Sequence, residues 1–198
     1  ALFHGKYEDI QVSTFTAYDA NGDGVEESFF GNFINAGNAT MNGVEVEFDA
    51  SPRNIEWLAI NGYVSYLDLE PDEVLDANHD GFVDTQVITN APKWTGGLHF
   101  NLDFPVAGGL LTASVGGAYR TSAILTNEGG SFAGAPVRPI SQDAYAIYDA
   151  SLSWLSPDAK WRLGLNGKNL SDNEYLTNGY NIPALGILTG SYGAPRTV

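Results

Sequence analysis

Two short acidic motifs are the strongest candidates for chemistry in this sequence. Residues 19–24 (DANGDG) and 76–81 (DANHDG) both follow the D-x-N-x-D-G pattern that opens a calcium-binding loop. Oxygens at positions 1, 3 and 5 can converge on a hard cation because the glycine at position 6 allows a sharp turn. The predicted ligands are Asp19, Asn21, Asp23, Asp76, Asn78 and Asp80.

Neither motif has the bidentate glutamate that a complete calcium loop carries at position 12. Phe30 and Val87 stand there instead, although Glu26, Glu27 or Asp84 can substitute from nearby, and Asp84 joins the candidate ligands. The alternative is an Asx-rich surface turn that holds no metal. The sequence leaves both open, and calcium in either loop would bind weakly, with a dissociation constant on the order of 10⁻⁴ to 10⁻³ M.

Residue patterns for catalysis are missing. His4, His79 and His99 are isolated and have no zinc-site spacing, and the chain has no cysteine. It has no nucleophile elbow, P-loop or dinucleotide fingerprint. Glu45 and Glu47 could mimic a glycosidase pair, but acids on one side of a strand are more typical of the wall of a water-filled lumen. We therefore predict no enzyme and no catalytic residue.

Composition narrows the class of protein. Among 198 residues, 24 are acidic and 9 are lysine or arginine, which gives a formal net charge of −15 and argues against a nucleic-acid partner. A hydrophobic content of 43% excludes disorder. No apolar run reaches the roughly 18 to 20 residues of a transmembrane helix. The 23 glycines and 24 aromatic residues predict many turns between strands.

The elements that position these residues follow a period of two, which predicts an all-β chain. Strands are predicted at residues 6–18, 39–51, 55–68, 93–104, 110–121, 143–155 and 160–170, with an eighth beginning near Ser191. Short turns at 51–54, 106–109 and 156–159 alternate with long loops at about 19–37, 69–91, 122–142 and 177–190. This alternation predicts an antiparallel up-and-down meander with every large loop at one end.

Strand length separates a membrane barrel from a soluble sandwich, which is the alternative. These strands run to about 11 to 13 residues, where sandwich strands have about 5 or 6. Ionised residues in mid-strand, such as Glu45, Asp103 and Lys168, suit a water-filled interior. Aromatic residues at the strand ends predict two interfacial belts. They are Trp57, Trp154 and Trp161 near the short turns, and Tyr18, Tyr66, Trp94 and Tyr119 near the long loops.

Four segments resemble a known family. Residues 169–175 (NLSDNEY) and 192–198 (YGAPRTV) are similar to the closing segments of TonB-dependent outer-membrane receptors. Residues 35–45 (NAGNATMNGVE) and 90–94 (NAPKW) are similar to earlier pieces of the same family, in the right order. The resemblance therefore covers roughly residues 35–198.

The resemblance implies a partial transmembrane β-barrel, with about 8 strands of a 22-stranded barrel in residues 1–198. In that family a plug domain fills the barrel, and TonB pulls on a segment ahead of the plug. Neither part is in this sequence, which also stops before the terminal aromatic residue of the last strand. We therefore expect a C-terminal receptor segment in the outer membrane of a Gram-negative bacterium. Its expected partners are membrane lipid and, through the missing plug, the TonB complex.

The resemblance implies uptake of siderophore-bound iron, a vitamin or a glycan. Aromatic loop residues that can stack on such a ligand are Phe29, Phe30, Phe33, Phe132 and Tyr180, and the sequence assigns none of them. No cofactor is predicted beyond calcium in the external loops. Two other functions stay open: a calcium-braced extracellular β module that binds carbohydrate, and an outer-membrane enzyme with its site at the barrel mouth.

Overall fold

The computed structural model describes residues 1–25, 28–35, 37–71, 88–126, 131–132, 135–136, 140–182 and 187–198, and these form strands and turns. Seven strands make one antiparallel sheet in the order β1-β4-β5-β6-β7-β12-β13. They are β1 (Leu2–Tyr7), β4 (Ala39–Ala50), β5 (Leu58–Pro71), β6 (Trp94–Val106), β7 (Gly109–Arg120), β12 (Tyr145–Leu155) and β13 (Arg162–Gly167). Thr197 bridges Lys168 at the end of β13, where the eighth strand was predicted. The predicted meander is confirmed.

The remaining strands form two-stranded pairs at the long-loop end of the sheet. They are β2 (Gln11–Tyr18) with β3 (Ser28–Asn35), β8 (Ala123–Ile124) with β11 (Ser141–Gln142), β9 (Ser131–Phe132) with β10 (Ala135–Pro136), and β14 (Leu176–Ile182) with β15 (Ile187–Tyr192). Three predicted loops are therefore partly strand. Polar external hairpins lack a buried face, so their sequences carry no clean alternation. Most of the predicted loop at 69–91 lies outside the described residues.

The prediction of one strand over residues 6–18 is wrong in detail, because the segment contains parts of two strands, β1 and β2. Asp9 adopts a φ of 55° and Gly37 a φ of 98°, which interrupts the ladder between β1 and β2. The register nevertheless continues, since Tyr7 pairs with Ala39 and Gln11 pairs with Asn35. β1 and β2 are thus one arm of a long hairpin, and β3 and β4 are the other.

Short connections close the opposite end of the sheet. The β6–β7 turn is Ala107-Gly108, whose φ angles of 51° and 75° match a tight two-residue hairpin turn. After β12, the Ser156 hydroxyl donates to Asp158 (2.7 Å) and accepts from the Trp161 amide (3.0 Å). The hydrogen bond from Ser156 leads the causes that lower the pKa of Asp158. Backbone conformation therefore defines the first turn, and local polar bonds define the second.

The two faces of the sheet differ in charge, as register shows. Directly opposed residues share a face, so Tyr66 and Trp94 lie on the same face as Val46 and Leu98. We call this the apolar face. Its described members are Val44, Val46, Phe48, Ala50, Leu58, Ile60, Gly62, Val64, Tyr66, the even positions of 94–104, the odd positions of 111–119, the even positions of 146–154, Leu163, Leu165 and Gly167. None of them is charged.

The opposite face, here the polar face, carries the acids, amides, hydroxyls and cations of the same strands. Glu45, Glu47 and Asp49 follow one another along β4, and Asp149 lies farther across the sheet on β12. No second layer of protein covers either face among the described residues, where the buried hydrophobic side chains are Ala39, Ala123 and Leu125. The alternating side chains of one layer therefore meet two different environments, as in a transmembrane barrel.

Aromatic residues bound the apolar face at both ends. Tyr66 and Trp94 pack in a tilted arrangement across β5 and β6 with ring centroids 4.6 Å apart, and Trp57 packs on Phe104 at 5.1 Å near the short turns. From Trp94 to Phe104, about 3.4 Å per residue and a tilt of about 40° give a band of about 26 Å. That height matches a hydrocarbon layer of about 25 Å in this class of barrel.

Tyr18 does not belong to the outer belt, contrary to the prediction. The outer belt is the aromatic row at the long-loop end, which contains Tyr66 and Trp94. On the hairpin of β1 to β4 this level is reached at Leu2, which pairs with Val44 beside Tyr66. Tyr18 lies at the far end of β2, where its ring is 5.9 Å from that of Phe30. The sequence placed Tyr18 beside a long loop but could not show that β3 carries that loop far beyond the belt.

Glycines opposite rings are a recurrent feature of the sheet. Phe48 covers Gly62, Tyr63 covers Gly97, Tyr148 covers Gly117, Phe3 covers Gly43 and His99 covers Gly116, each pair directly opposed on neighbouring strands. A Cβ on Gly62 would lie 2.8 Å from the Phe48 ring and 2.9 Å from the Gly97 carbonyl oxygen. These rings therefore need a glycine beneath them.

Candidate functional site

One row of residues crosses the polar face just below the long loops. Register pairs Glu45 with Ser65, Ser65 with Thr95, Thr95 with Arg120, and Arg120 with Tyr145. We call these five residues the rim row. Each comes from a different strand, so the sheet itself sets their spacing at about 4.8 Å per strand. The row carries a carboxylate, two hydroxyls, a guanidinium and a phenol, which are groups that bind polar ligands.

Arg120 is the cation of the rim row, and its guanidinium is held from two sides. Its Nη2 donates to the Asn90 side-chain oxygen at 2.8 Å, and its Cζ lies 5.8 Å from the centre of the Tyr145 ring. Its Nε is buried and has no hydrogen-bond partner in the structure, which leaves one oriented donor unused. A buried donor without an acceptor is costly unless a ligand or water supplies one.

A second tyrosine extends the site beyond the sheet. Tyr175 stacks on Tyr145 with ring centroids 4.5 Å apart and an angle of 23° between the ring planes. Tyr175 is held by its backbone, because its carbonyl accepts from the Gly193 amide at 2.8 Å and its ring covers Gly193. The result is a stack of guanidinium, phenol and phenol at the outer edge of the polar face. Such a stack favours flat, electron-rich or anionic ligands.

A cavity of about 500 Å³ opens beside this stack. It lies between polar-face positions of four strands and the segment 88–92, which folds against them. Its apolar wall contains Tyr7, Met41, Leu67, Leu69 and Ile88, and its polar atoms come from Ser65, Thr95 and Asn90. The volume suits one small organic group. Asn90 joins the cavity to Arg120, so an apolar pocket and a cation are neighbours.

A larger outer cavity of about 660 Å³ lies on the loop side of the first and shares Leu67, Leu69, Ile88 and Ala91 with it. Asp68 and Glu70 line it together with Lys93. Lys93 Nζ is 3.0 Å from Asp68, and this hydrogen bond, followed by the contact with Tyr66, raises the pKa of Lys93. The pair is exposed and contributes little to stability. The approach to the rim row therefore passes a partly neutralised acidic edge.

The first calcium motif folds as a tight acidic turn. Asp19 accepts hydrogen bonds from the amides of Asn21, Gly22, Asp23 and Gly24, the shortest at 2.6 Å. The Gly24 hydrogen bond is the leading cause that lowers the pKa of Asp19. Gly24 has a φ of 86°, as position 6 of a calcium loop requires. These bonds belong to the Asx-turn alternative, and calcium stays a prediction.

Other predicted site residues lie apart from the rim row or outside the described residues. Asp76, Asn78, Asp80 and Asp84 belong to the second group, as do Glu26 and Glu27. In the part of the chain that the structure describes, no three His, Asp or Glu side chains form a metal-binding group. The His4 Nδ1–H donates a hydrogen bond to Asn42 Oδ1 at 2.8 Å. Among the loop aromatics, Phe30 contacts Tyr18 rather than the rim row.

The sequence missed the residues that the structure brings together at the rim. Arg120, Tyr145 and Tyr175 are distant along the chain, and Asn90 was read only as part of a family-like segment. The register counted from a hairpin turn is the signal in the sequence that could have found part of this row. Counting outward from the Ala107-Gly108 turn pairs Arg120 with Thr95, but the pairing of Arg120 with Tyr145 crosses a long loop whose length hides the register.

Comparison with known proteins gives a family. The family model for the β-barrel of TonB-dependent receptor-like proteins matches residues 1–170. No curated protein sequence matches the chain. Among the described residues no helix is long or apolar enough to cross a membrane.

Similar solved structures share the fold at low identity. The ferric yersiniabactin uptake receptor FyuA from Yersinia pestis has a TM-score of 0.66 and 19% identity over 98% of this chain and 25% of its own. The siderophore receptor PiuA from Acinetobacter baumannii has a TM-score of 0.64 and 19% identity over 98% of this chain and 24% of its own. The ferric preacinetobactin receptor BauA from the same species has a TM-score of 0.55 and 20% identity over 94% and 25%. The chain thus spans about a quarter of these receptors.

Proposed function

The chain belongs to the TonB-dependent receptor β-barrel family, and we propose that it is a C-terminal barrel segment of a receptor that imports an iron–siderophore complex. The family consists of transporters rather than enzymes, and its members lie in the outer membrane of Gram-negative bacteria. The chain is accordingly an outer-membrane protein. The apolar face contacts lipid, and the polar face lines the interior. The extent of the segment, the TonB-driven energy supply and the substrate are parts of the proposal.

The surroundings of the Arg120 guanidinium are the observation that supports an anionic substrate. Its buried Nε lacks an acceptor, its ring partner Tyr145 is stacked on Tyr175, and an apolar cavity of about 500 Å³ lies next to it. Siderophore complexes of iron carry negatively charged oxygens and flat or apolar arms, which match these features. A neutral glycan needs no cation at this position. The names of the similar receptors, which bind ferric yersiniabactin and ferric preacinetobactin, give the same substrate class as a hypothesis.

The binding test uses the complete receptor in detergent and a set of four ligands: a ferric phenolate siderophore, a ferric hydroxamate siderophore, cobalamin and a neutral oligosaccharide. We expect a ferric siderophore to quench tryptophan fluorescence on binding. Arg120→Gln should weaken that binding about 10- to 150-fold, which corresponds to about 1.5–3 kcal/mol for a lost hydrogen bond to a charged group. Binding of cobalamin or the oligosaccharide alone would overturn the substrate class.

A matched control is available on the same face. Arg162 is exposed on the polar face at the short-turn end of β13, far from the rim row. Arg162→Gln removes the same charge and should leave the dissociation constant within about twofold, since charges beyond a Debye length of about 8 Å are screened. Equal losses in both variants would mean that net charge, rather than the Arg120 site, attracts the ligand.

Energy supply needs a separate measurement in cells. Uptake of radioactive iron by cells that produce the receptor should stop when a protonophore collapses the inner-membrane gradient, whereas surface binding at 0 °C should persist. Uptake that continues without the gradient would exclude TonB-driven transport while leaving the binding site intact.

A further inference from the structure

Asn169 is an unusual residue in this sheet because it is polar, only 3% exposed and in a left-handed conformation with a φ of 48°. It lies two residues after the end of β13. Its backbone amide donates to the Asp149 carboxylate of β12 at 2.8 Å. The residue is therefore anchored to the main sheet before its side chain makes any contact.

The Asn169 side chain then ties two distant segments together. Its Nδ2 donates to the Asn173 carbonyl at 2.9 Å and to the Ala194 carbonyl at 3.1 Å, and its Oδ1 accepts from the Asn173 amide at 3.1 Å. Both amide hydrogens and the amide oxygen are thus used. The bond to Ala194 joins residues 25 positions apart and reaches the segment 193–198, which follows the β14–β15 hairpin.

Two further polar contacts fasten the same two segments. Arg196 forms an ion pair with Asp172 at 3.1 Å, and the Gly193 amide donates to the Tyr175 carbonyl at 2.8 Å beneath the Tyr175 ring. We call this assembly of residues 169–175 and 193–196 the clasp. Its next neighbours, Lys168 and Thr197, exchange two backbone hydrogen bonds of 2.9 and 3.1 Å.

The turn at the tip of the β14–β15 hairpin cannot supply this pairing. Ile182 pairs with Ile187 beside the tip, and a register shift between Leu176 and Asn178 changes the alignment lower down. Continuing either register to Lys168 would not bring it opposite Thr197. In most hairpins the turn defines the register. The register of this hairpin does not continue to Lys168 and Thr197, so other contacts have to define their pairing.

We propose that the clasp sets the register of the 193–198 segment against β13, with the Asn169–Ala194 bond as its central contact. A slip of two residues keeps each side chain on its proper face, so the faces of the barrel alone do not prevent it. A slip would leave the Asn169 amide and the Ala194 carbonyl unpaired, and an unpaired buried polar group is strongly disfavoured. The clasp thereby determines how the next strand continues the sheet. The proposal concerns assembly and is independent of the substrate.

Cysteine crosslinking in the complete receptor, produced in outer membranes, tests the register. Lys168→Cys with Thr197→Cys reports the native pairing, and Asn166→Cys with Thr197→Cys reports a slip of two residues. We expect the native crosslink to dominate in the parent. Asn169→Ala should raise the ratio of slipped to native crosslink about 5- to 150-fold, the range for a buried hydrogen-bonding group left unpaired.

Asn173→Ala is the matched control. It removes the hydrogen bond from the Asn173 side chain to the Ala146 carbonyl of β12 but leaves the backbone groups of Asn173 and the Asn169–Ala194 bond in place. Its crosslink ratio should equal that of the parent. If Asn169→Ala does not assemble, Asn169→Asp, which loses the donor to Ala194 and keeps the acceptor, is scored with the same pairs. An unchanged ratio in the assembled Asn169 variant, or an equal change in Asn173→Ala, would overturn the proposal.

Discussion

Substituting alanine for Gly62 tests whether the rings that cover glycines constrain the sheet. The new Cβ would meet two atoms of the Phe48 ring at 2.8 Å and the Gly97 carbonyl oxygen at 2.9 Å, and the last of these is backbone. Overpacking of this kind costs about 1–3 kcal/mol. Alanine also restricts the unfolded chain, which stabilises the folded state by about 0.4–1 kcal/mol. We expect a net loss of about 1–2 kcal/mol.

Gly164→Ala provides the reference. Its Cβ would have one neighbour, the Leu152 carbonyl oxygen, at an ordinary 3.7 Å. The restriction of the unfolded chain is the same in both variants, so their difference of about 1–3 kcal/mol isolates the steric cost. Urea unfolding of the complete receptor in lipid vesicles measures it. Phe48→Leu combined with Gly62→Ala should recover the part of the loss that the ring causes, while the contact with the Gly97 carbonyl oxygen remains. Equal unfolding midpoints for Gly62→Ala and Gly164→Ala would refute the reasoning.

Three other predictions concern the faces, a belt and the acidic turn. In the same unfolding assay Leu98→Arg should lose about 2–4 kcal/mol and Asn101→Arg, on the polar face of that strand, much less, whereas similar losses would contradict the assignment of faces. Trp154→Phe removes the indole donor to the Val106 carbonyl (3.0 Å) and should cost about 0.5–1.5 kcal/mol, and an unchanged midpoint would contradict this. The pKa of Asp19 is lowered by hydrogen bonds from amides of its own turn. The ionised carboxylate therefore stabilises the turn fully above the unfolded pKa of about 3.9, and this stabilisation is lost as pH falls through the folded pKa. Pepsin, which is active in that acid range, should therefore cut the turn faster as pH falls through the folded pKa. At neutral pH, millimolar calcium should slow cutting by proteinase K if the predicted site exists, and a chelator should leave digestion unchanged if it does not.

Much of the main sheet was predictable because its two faces meet different environments. Lipid on one side and water on the other impose a period of two, so Leu98, Phe100 and Leu102 separate cleanly from His99 and Asn101. The tight turns were predictable for a similar reason, since Gly108 and Asp158 have strong turn preferences. Both signals are local, and both survive in a single sequence.

The external hairpins and the rim row were less accessible to sequence reasoning. β3 has no face that is consistently apolar, so its strand pairing leaves little trace in its composition. Arg120 meets Tyr145 across a long loop, and Tyr175 reaches Tyr145 through the clasp. Contacts of this kind depend on register over distances that alternation cannot measure. The calcium motifs show the opposite difficulty. The pattern at Asp19 is local and clear, but a turn without metal needs the same residues.

The uninterrupted register from β1 through β2 makes the tip of this hairpin a convenient handle. Between Leu2, at the outer belt, and Tyr18, sixteen residues extend away from the membrane, or about 50 Å of strand at about 3.3 Å per residue. An epitope or fluorophore placed at Asn21 would therefore stand clear of the lipid headgroups on intact cells. The label signal per intact cell would then report how many receptors reach the surface, without extracting any of them from the envelope.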